Sequence, residues 1–336
     1  MVKTLTGGLN GPPVFFCAYR SACPHIDGTK VGEDMEQKKL EPYRQAVRAL
    51  PLRLREEAVR LEEEGQAGAE ELRLRVGWPM TVLLPGGERP LGERPVEERE
   101  LEQLLEIASQ ASVHAVLDQV RRGYLTTEGG HRIGLCGTAV MRDREIHTLR
   151  ALSSASIRIA RQIKGVCTPI LNELCPNGRL EDTLILSPPG MGKTTLLRDV
   201  IRAVSEGDGC QPLRVSLADE RGEVAAMYGG QPQMEVGRRT DVAEGCPKAQ
   251  GLMLLLRAMN PQVLAADEIT SPEDAAALET ASGCGAVLLA TAHGEGREDL
   301  ERRPVYREMM EKGLFRHLVR IQKSGAERIY TVEELR

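Results

Sequence analysis

The sequence predicts an α/β fold in two parts: a larger carboxy-terminal half built on a parallel sheet, preceded by a smaller α+β domain. Three observations predict it. From residue 182 onward, short runs of Val, Leu and Ala alternate with helical stretches, the rhythm of strand–helix–strand units. The first of these runs, DTLILS (182–187), leads through PPGMG directly into KTTLLRDVIRAVSE, and a later one, VLAADE (263–268), ends on two acids. Before residue 165 the pattern is different, with shorter alternating runs broken by Gly-Gly pairs and by Gly77 and Pro79.

Residues 1–34 are rich in Gly, Pro and small polar residues and follow neither period 2 nor period 3.6, so they read as a disordered tail. Met35 opens an orderly helical segment, and the stretch before it is expected to be either an artefact of where translation was taken to begin or an ordinary disordered tail. Residues 35–164 form the first domain. Helical residues 35–64 precede two strands in EELRLRVGWPMTVLL (70–84), around Gly77 and Pro79, and PGGERPLGERP follows as a loop. Leu101, Leu104, Leu105, Ala108, Ala115, Val116 and Val120 recur near helical spacing, which predicts one helix over 96–123. YLTTEGGHRIGLCG (124–137) reads as a hairpin closed by a two-residue primed turn at Gly129-Gly130, with more strand at 138–141 and 156–160.

Residues 165–336 form the second domain. A helix and turn at 165–182 lead into strands at 182–187, 213–218, 261–268 and 285–293, with helices between them. LFRHLVRIQK and ERIYTVEEL close the chain as a hairpin turned near Ser324-Gly325.

Composition excludes several classes. The chain is 41% hydrophobic and 28% charged, with a formal net charge of -5, so its overall field does not draw it to nucleic acid or anionic lipid. No apolar run approaches the roughly 18 residues of a spanning helix, and no secretory pattern opens the chain, which predicts a cytoplasmic protein. The eight cysteines form no CxxC pair and read as reduced, mostly buried thiols; Cys17, Cys23 and His25 are too loosely spaced for a zinc site.

The chemistry lies in LSPPGMGKTTLLRD (186–199). The pattern GxxxxGK[ST] gathers backbone N–H groups and a helix N-terminus into a nest for phosphate. Here Ser187, Pro188, Pro189, Gly190, Met191, Gly192, Lys193, Thr194 and Thr195 make the nucleotide-binding loop of a P-loop NTPase core of the RecA or AAA kind. Lys193 is expected to reach the β- and γ-phosphates of ATP, and Thr194 to ligate Mg²⁺. Ser187 stands where the first glycine is usual, at a strand-to-loop turn that accommodates a small side chain. Asp267 is expected to hold Mg²⁺ through water, and Glu268 to polarise the attacking water. Asp219 and Glu220, in LADERGE, and Thr291 and His293, in ATAHG, end neighbouring strands on the same phosphate face, giving His293 a sensing role.

GGHRIGLCG, SIRIARQIKG, PPGMGKTTLLRD, DERGE, GRRTDVAEGCPKAQG, RAMNPQVLAADEI and TAHG together resemble the stage III sporulation protein AA family of endospore-forming bacteria, over about residues 36–336. That family is similar to the type II and type IV secretion ATPases, which form rings of two-domain subunits. The resemblance implies an ATPase of the mother-cell cytoplasm, peripheral at the membrane through its partners. It implies a homo-oligomer, with a hexameric ring expected, that energises a membrane-embedded sporulation channel and has no nucleic-acid partner. DERGE occupies the place of the acidic box, which makes Glu220 a rival to Glu268 as base, and TAHG that of the histidine box. Arginines of the first domain close over the nucleotide in the secretion ATPases. Arg158 and Arg161 in SIRIAR, with Arg238 and Arg239 in GRRTD, are therefore expected to include one that acts on ATP, most readily a neighbour's. Thr270 after Asp-Glu-Ile departs from the usual glycine. Two other readings stay open: a nucleic-acid-dependent translocase, and a nucleotide-gated scaffold with little turnover.

Overall fold

The computed structural model describes residues 28–110, 117–324 and 327–335. The expectation for the tail therefore lies outside them except at 28–34, where helix α1 (Gly28–Arg48) has already begun. Close contacts divide the chain into two units, Met1–Lys39 and Leu40–Arg336.

Two sheets organise the second unit. The first is antiparallel and six-stranded. After α1, the chain makes α2 (Leu52–Ala58), α3 (Glu63–Gly68), β1 (Glu71–Arg75), β2 (Pro79–Leu84), β3 (Gly87–Pro95), α4 (Glu98–Ala108), α5 (Leu117–Arg121), β4 (Tyr124–Thr126), β5 (Arg132–Arg142) and β6 (Glu145–Arg158). The strand order is β3-β2-β1-β6-β5-β4. Tyr43, Leu54, Leu101 and Leu104 from the helices, with Leu50 from the link between α1 and α2, meet Leu72, Leu74, Ile133 and Ile157 from one face of the sheet, as the period-2 alternation requires.

Several expectations are corrected here. The segment 35–64 is three helices rather than one, because Pro51 stands at the N-cap of α2 and interrupts the helical run. PGGERPLGERP is mostly the strand β3, exposed at all positions but Leu91. It is an edge strand, where Pro and charge are tolerated and hide the alternation. The expected helix 96–123 is α4 and α5, with 111–116 outside the described residues. The 124–137 hairpin exists but closes through residues 127–131, where the Thr127 N–H and hydroxyl both donate to the His131 carbonyl around a 3₁₀ turn. Both glycines of that turn are in the left-handed region (φ 80° and 76°), and a Cβ on Gly130 would also stand 2.6 Å from the Met234 side chain. Strand then runs unbroken to Arg142, turning at Asp143 and Arg144.

The second sheet has seven strands. A short α6 (Leu171–Leu174) leads to β7 (Thr183–Ser187), α7 (Lys193–Glu206), β8 (Val215–Asp219), the small ribbon β9 (Met227–Tyr228) and β10 (Gln231–Pro232), and β11 (Thr240–Glu244). Then come α8 (Lys248–Met259), β12 (Val263–Ala266), α9 (Pro272–Gly283), β13 (Val287–His293), α10 (Arg297–Arg302), α11 (Pro304–Glu311), β14 (His317–Ser324) and β15 (Glu327–Glu334). The order is β11-β8-β12-β13-β7-β14-β15, parallel except for the terminal β14–β15 hairpin.

Continuous apolar strands have both faces covered. Ile185, Val263, Ala265 and Leu289 pack under α7, with Leu196, Leu197, Val200 and Val204. Leu184, Leu186, Leu264 and Leu288 face α8, α9 and α11 through Leu252, Leu278 and Met309. This arrangement points the carboxyl ends of β7, β8, β12 and β13 to one edge. Of the six described cysteines only Cys167 and Cys175 are buried; Cys136 and Cys284 are exposed, which corrects the expectation of mostly buried thiols. Among the described residues no helix is long and apolar enough to cross a membrane, and no cluster of His, Cys, Asp or Glu could hold a metal ion.

Candidate functional site

Between β7 and α7 the loop turns on two glycines in the left-handed region, Gly190 (φ 75°) and Gly192 (φ 93°), the latter being the N-cap of α7. Space above Gly190 is open: a Cβ there would meet nothing within 4 Å. Ser187 is still a residue of β7, opposite His293 in register, and its φ is not positive. It therefore needs no glycine's freedom, and its hydroxyl donates to the Pro188 carbonyl at 3.0 Å. The departure at Ser187 leaves the nest intact. Thr270 likewise lies outside the left-handed region, and its backbone N–H donates to the Asp274 carboxylate at 3.1 Å.

Lys193 opens α7 and is only 6% exposed. Burial lowers its pKa, and the Asp267 and Glu268 carboxylates oppose that shift. Its ammonium lies 3.1 Å from His293 Nδ1. An ammonium has only protons to give, so Nδ1 accepts and Nε2 carries the imidazole hydrogen. Nε2 lies 3.1 Å from Glu268 Oε1, and Arg221 holds Oε2 at 3.0 Å. Lys193, His293, Glu268 and Arg221 thus form one chain across the ends of β7, β13, β12 and β8. Glu268 is itself in the left-handed region (φ 55°), an uncommon conformation for a side chain of its size and one that collects at functional sites.

Beside this chain, Asp267 accepts from the Thr194 hydroxyl at 2.9 Å and from the buried Thr291 hydroxyl at 2.5 Å. Thr291 Oγ1 also accepts the Glu268 N–H at 2.7 Å. Thr194 and Asp267 present hydroxyl and carboxylate oxygen side by side, a hard donor pair suited to Mg²⁺.

The neighbouring acidic pair is built differently. Asp219 is buried and accepts three backbone N–H groups, from Glu223, Val224 and Ala225, at 2.8–3.0 Å. Burial nevertheless pushes its pKa up to about 6. It shapes the adjoining loop, and Glu220 projects from that loop half-exposed. Arg198 of α7 clamps the same loop by donating to the carbonyls of Val224 at 2.6 Å and Glu223 at 2.7 Å. From the first sheet, Arg132 pairs with Glu223 at 2.8 Å, and Tyr124 donates to the Arg221 carbonyl at 3.2 Å. HRIG therefore grips DERGE.

The four arginines are not brought to the phosphate loop of their own chain. Arg238 pairs with Glu206 at 2.7 Å, and Arg239 donates to the Ser205 carbonyl at 2.8 Å. Both sit at the far end of α7, about 20 Å from its start. Arg158, on the end of β6, is 3.7 Å from Glu71 and largely exposed. Arg161 is spent on the carbonyls of Ala69 and Gln66.

Lys248 was not singled out by sequence reasoning. Buried at the start of α8, it donates to the Glu268 carbonyl at 2.5 Å and lies 3.6 Å from Glu220 and 3.7 Å from Asp274. A signal was present: a cation at the positive end of a helix is out of place unless a buried acid faces it. Arg303, which holds the His293 carbonyl at 2.7 Å, left no such mark.

A parallel sheet carrying a glycine-turned phosphate loop, with a buried lysine and an aspartate facing the loop's threonine, defines the class: the RecA-like P-loop ATPase fold. The chain belongs to the family described as sporulation stage III, protein AA, whose model matches residues 40–333. It is 35% identical over 276 residues to the stage III sporulation protein AA of Bacillus subtilis (strain 168), covering 82% of this chain and 89% of that protein. Two solved structures share its fold. The pilus retraction motor PilT with bound ADP matches at TM-score 0.55 and 16% identity, over 79% of this chain and 78% of that one. The ATPase DotB of Legionella pneumophila matches at TM-score 0.53 and 16% identity, over 79% and 76%.

Proposed function

We propose that this chain is a Mg²⁺-dependent ATPase that works as a ring-shaped motor, hexameric by expectation, beneath the membrane channel joining mother cell and forespore during sporulation. The observation that carries the catalytic part is the chain Lys193–His293–Glu268, with Asp267 placed against Thr194 beside it. Four strand ends from distant parts of the sequence converge there with their acids and bases already in contact. Family membership supports the sporulation setting, and the fold of PilT and DotB supports a motor.

In this reading Lys193 leaves His293 Nδ1 for the γ-phosphate when ATP seats in the loop. The imidazole, still joined to Glu268 through Nε2, registers that loss, which is how His293 senses nucleotide. Glu268, released from Arg221, accepts the proton of the attacking water. Thr194, and Asp267 through water, would hold Mg²⁺, which would supply charge neutralisation on the phosphates. Lys248 holds the backbone of Glu268 and draws Glu220 toward it, so both carboxylates are steered by one ammonium. Further charge on the γ-phosphate, beyond Lys193 and Mg²⁺, comes from a neighbouring subunit, and Arg158, Arg161, Arg238 or Arg239 supplies it. Because Arg161 and Arg239 donate to backbone carbonyls of Ala69, Gln66 and Ser205 in their own chain, exposed Arg158 and Arg238 are the better placed of the four to reach across.

The test is phosphate release by the purified chain with Mg²⁺ and ATP. Lys193→Ala should lower turnover at least about 10²-fold. Equal release by wild type and Lys193→Ala would sink the ATPase reading.

A further inference from the structure

The terminal hairpin carries two cations that this site has not yet accounted for. On the face of β14–β15 turned toward α7, Val319 and Ile321 on one strand and Tyr330 and Val332 on the other pack into the core beneath the helix. The next positions along that face are Lys323 and Arg328, directly opposite each other in register. Both stripes change from apolar to cationic where they pass the start of α7. Arg328 reaches the loop itself: a Cβ on Gly192 would stand 3.3 Å from its Cζ and Nε.

This placement is unfavourable for an empty loop. Like charges directly opposed on a hairpin repel, and α7, 14 residues long, presents its positive end at Gly192. Buried Lys193 adds a third cation nearby. Among the described residues no carboxylate forms an ion pair with Lys323 or Arg328. An anion held in the nest would attract all three cations and the helix end together, offsetting these repulsions.

We infer that Arg328, backed by Lys323, closes on the phosphate chain of the nucleotide in the same subunit's loop. The inference rests on the nucleotide-binding reading and adds a second wall to the site, opposite the Asp267–Glu268 edge. A planar guanidinium can pair two phosphate oxygens at once, whereas Lys323 acts as a point charge behind it. Nucleotide binding would also fasten the hairpin to α7.

The experiment is calorimetric titration of the full chain with Mg·ADP and, separately, with inorganic pyrophosphate. Arg328→Ala should weaken both about tenfold and Lys323→Ala about two- to threefold, with Arg328→Lys recovering part of the loss. The ratio of wild type to Arg328→Ala should shrink as salt rises from about 0.05 to 0.5 M, which a merely structural role would not produce. Thermal midpoints should stay within a degree or two, since Arg328 is exposed. Unchanged affinity for both ligands overturns the inference, and so does a loss confined to ADP, which would mean contact with the base. If wild type and Lys193→Ala alike bind neither ligand, the nucleotide-binding reading itself fails and takes this inference with it.

Discussion

Two Asp-Glu pairs end neighbouring parallel strands, Asp219-Glu220 on β8 and Asp267-Glu268 on β12, and they are put to opposite uses. In the first, the aspartate turns inward to three backbone N–H groups and organises a loop, while the glutamate is left half-exposed. In the second, the aspartate faces the Thr194 and Thr291 hydroxyls at the phosphate edge. The glutamate, in the left-handed region, is held by His293 and Arg221. What separates the pairs is what surrounds them. Backbone donors can be supplied by any loop, whereas two hydroxyls and a histidine converge only where β7, β12 and β13 end together.

Isosteric amides should pull the two apart. Asp267→Asn should cost the most in activity, at least about 10²-fold in turnover, because it removes the carboxylate oxygen beside Thr194. The fold should survive, since both threonine hydroxyls can reorient to suit an amide. Asp219→Asn should do the reverse. One of its three N–H partners would face an amide N–H₂, destabilising the chain by about 1–3 kcal/mol in chemical denaturation, with turnover falling less than stability predicts for a catalytic group. Equal stability losses in the two variants would erase the distinction.

A smaller effect tests the electrostatics around Asp219. Glu244 lies opposite it in register, and burial, with repulsion from Asp219, pushes its pKa up to about 7. A carboxyl whose folded pKa is raised contributes stability that is complete below its unfolded value, near 4.5, and lost as pH rises through about 7. Glu244→Gln should therefore match wild type near pH 4 and exceed it at pH 8, by on the order of 1 kcal/mol after solvent screening. An advantage that is flat with pH would contradict the assignment.

Smallest in isolation should be Arg238→Ala, whose exposed ion pair with Glu206 is worth well under about 1 kcal/mol of stability. Its value lies in mixing. Combined with Lys193→Ala, an arginine variant that acts across subunits should regain activity, because each subunit supplies what the other lacks. If alanine variants of Arg158, Arg161, Arg238 and Arg239 all turn over normally, no such shared site exists.

Much of this was legible in the sequence. Apolar strands running into loops, and the spacing of Gly190, Gly192, Lys193 and Thr194, place the phosphate loop on the right sheet edge, and VLAADE places its acids. The charged edge strand β3 and the long arm of β5 and β6 were not legible, because strands solvated on both faces lose their alternation. Nor were the ties that assemble the site. Lys248 to Glu268, Arg198 to the DERGE loop and Arg132 to Glu223 all join residues 20 or more apart, through long side chains whose reach no local pattern encodes. Arg238 and Arg239 show the converse: residues that stand out in the sequence can sit at the opposite end of α7 from the glycine-rich loop.

The central claim, that chemistry belongs to the second acidic pair and scaffolding to the first, is tested most directly by single-turnover phosphate release from Glu268→Gln and Glu220→Gln side by side. The account predicts that Glu268→Gln binds ATP yet releases phosphate at least about 10²-fold more slowly, while Glu220→Gln stays within about tenfold of wild type. An inactive Glu220→Gln beside an active Glu268→Gln would contradict it.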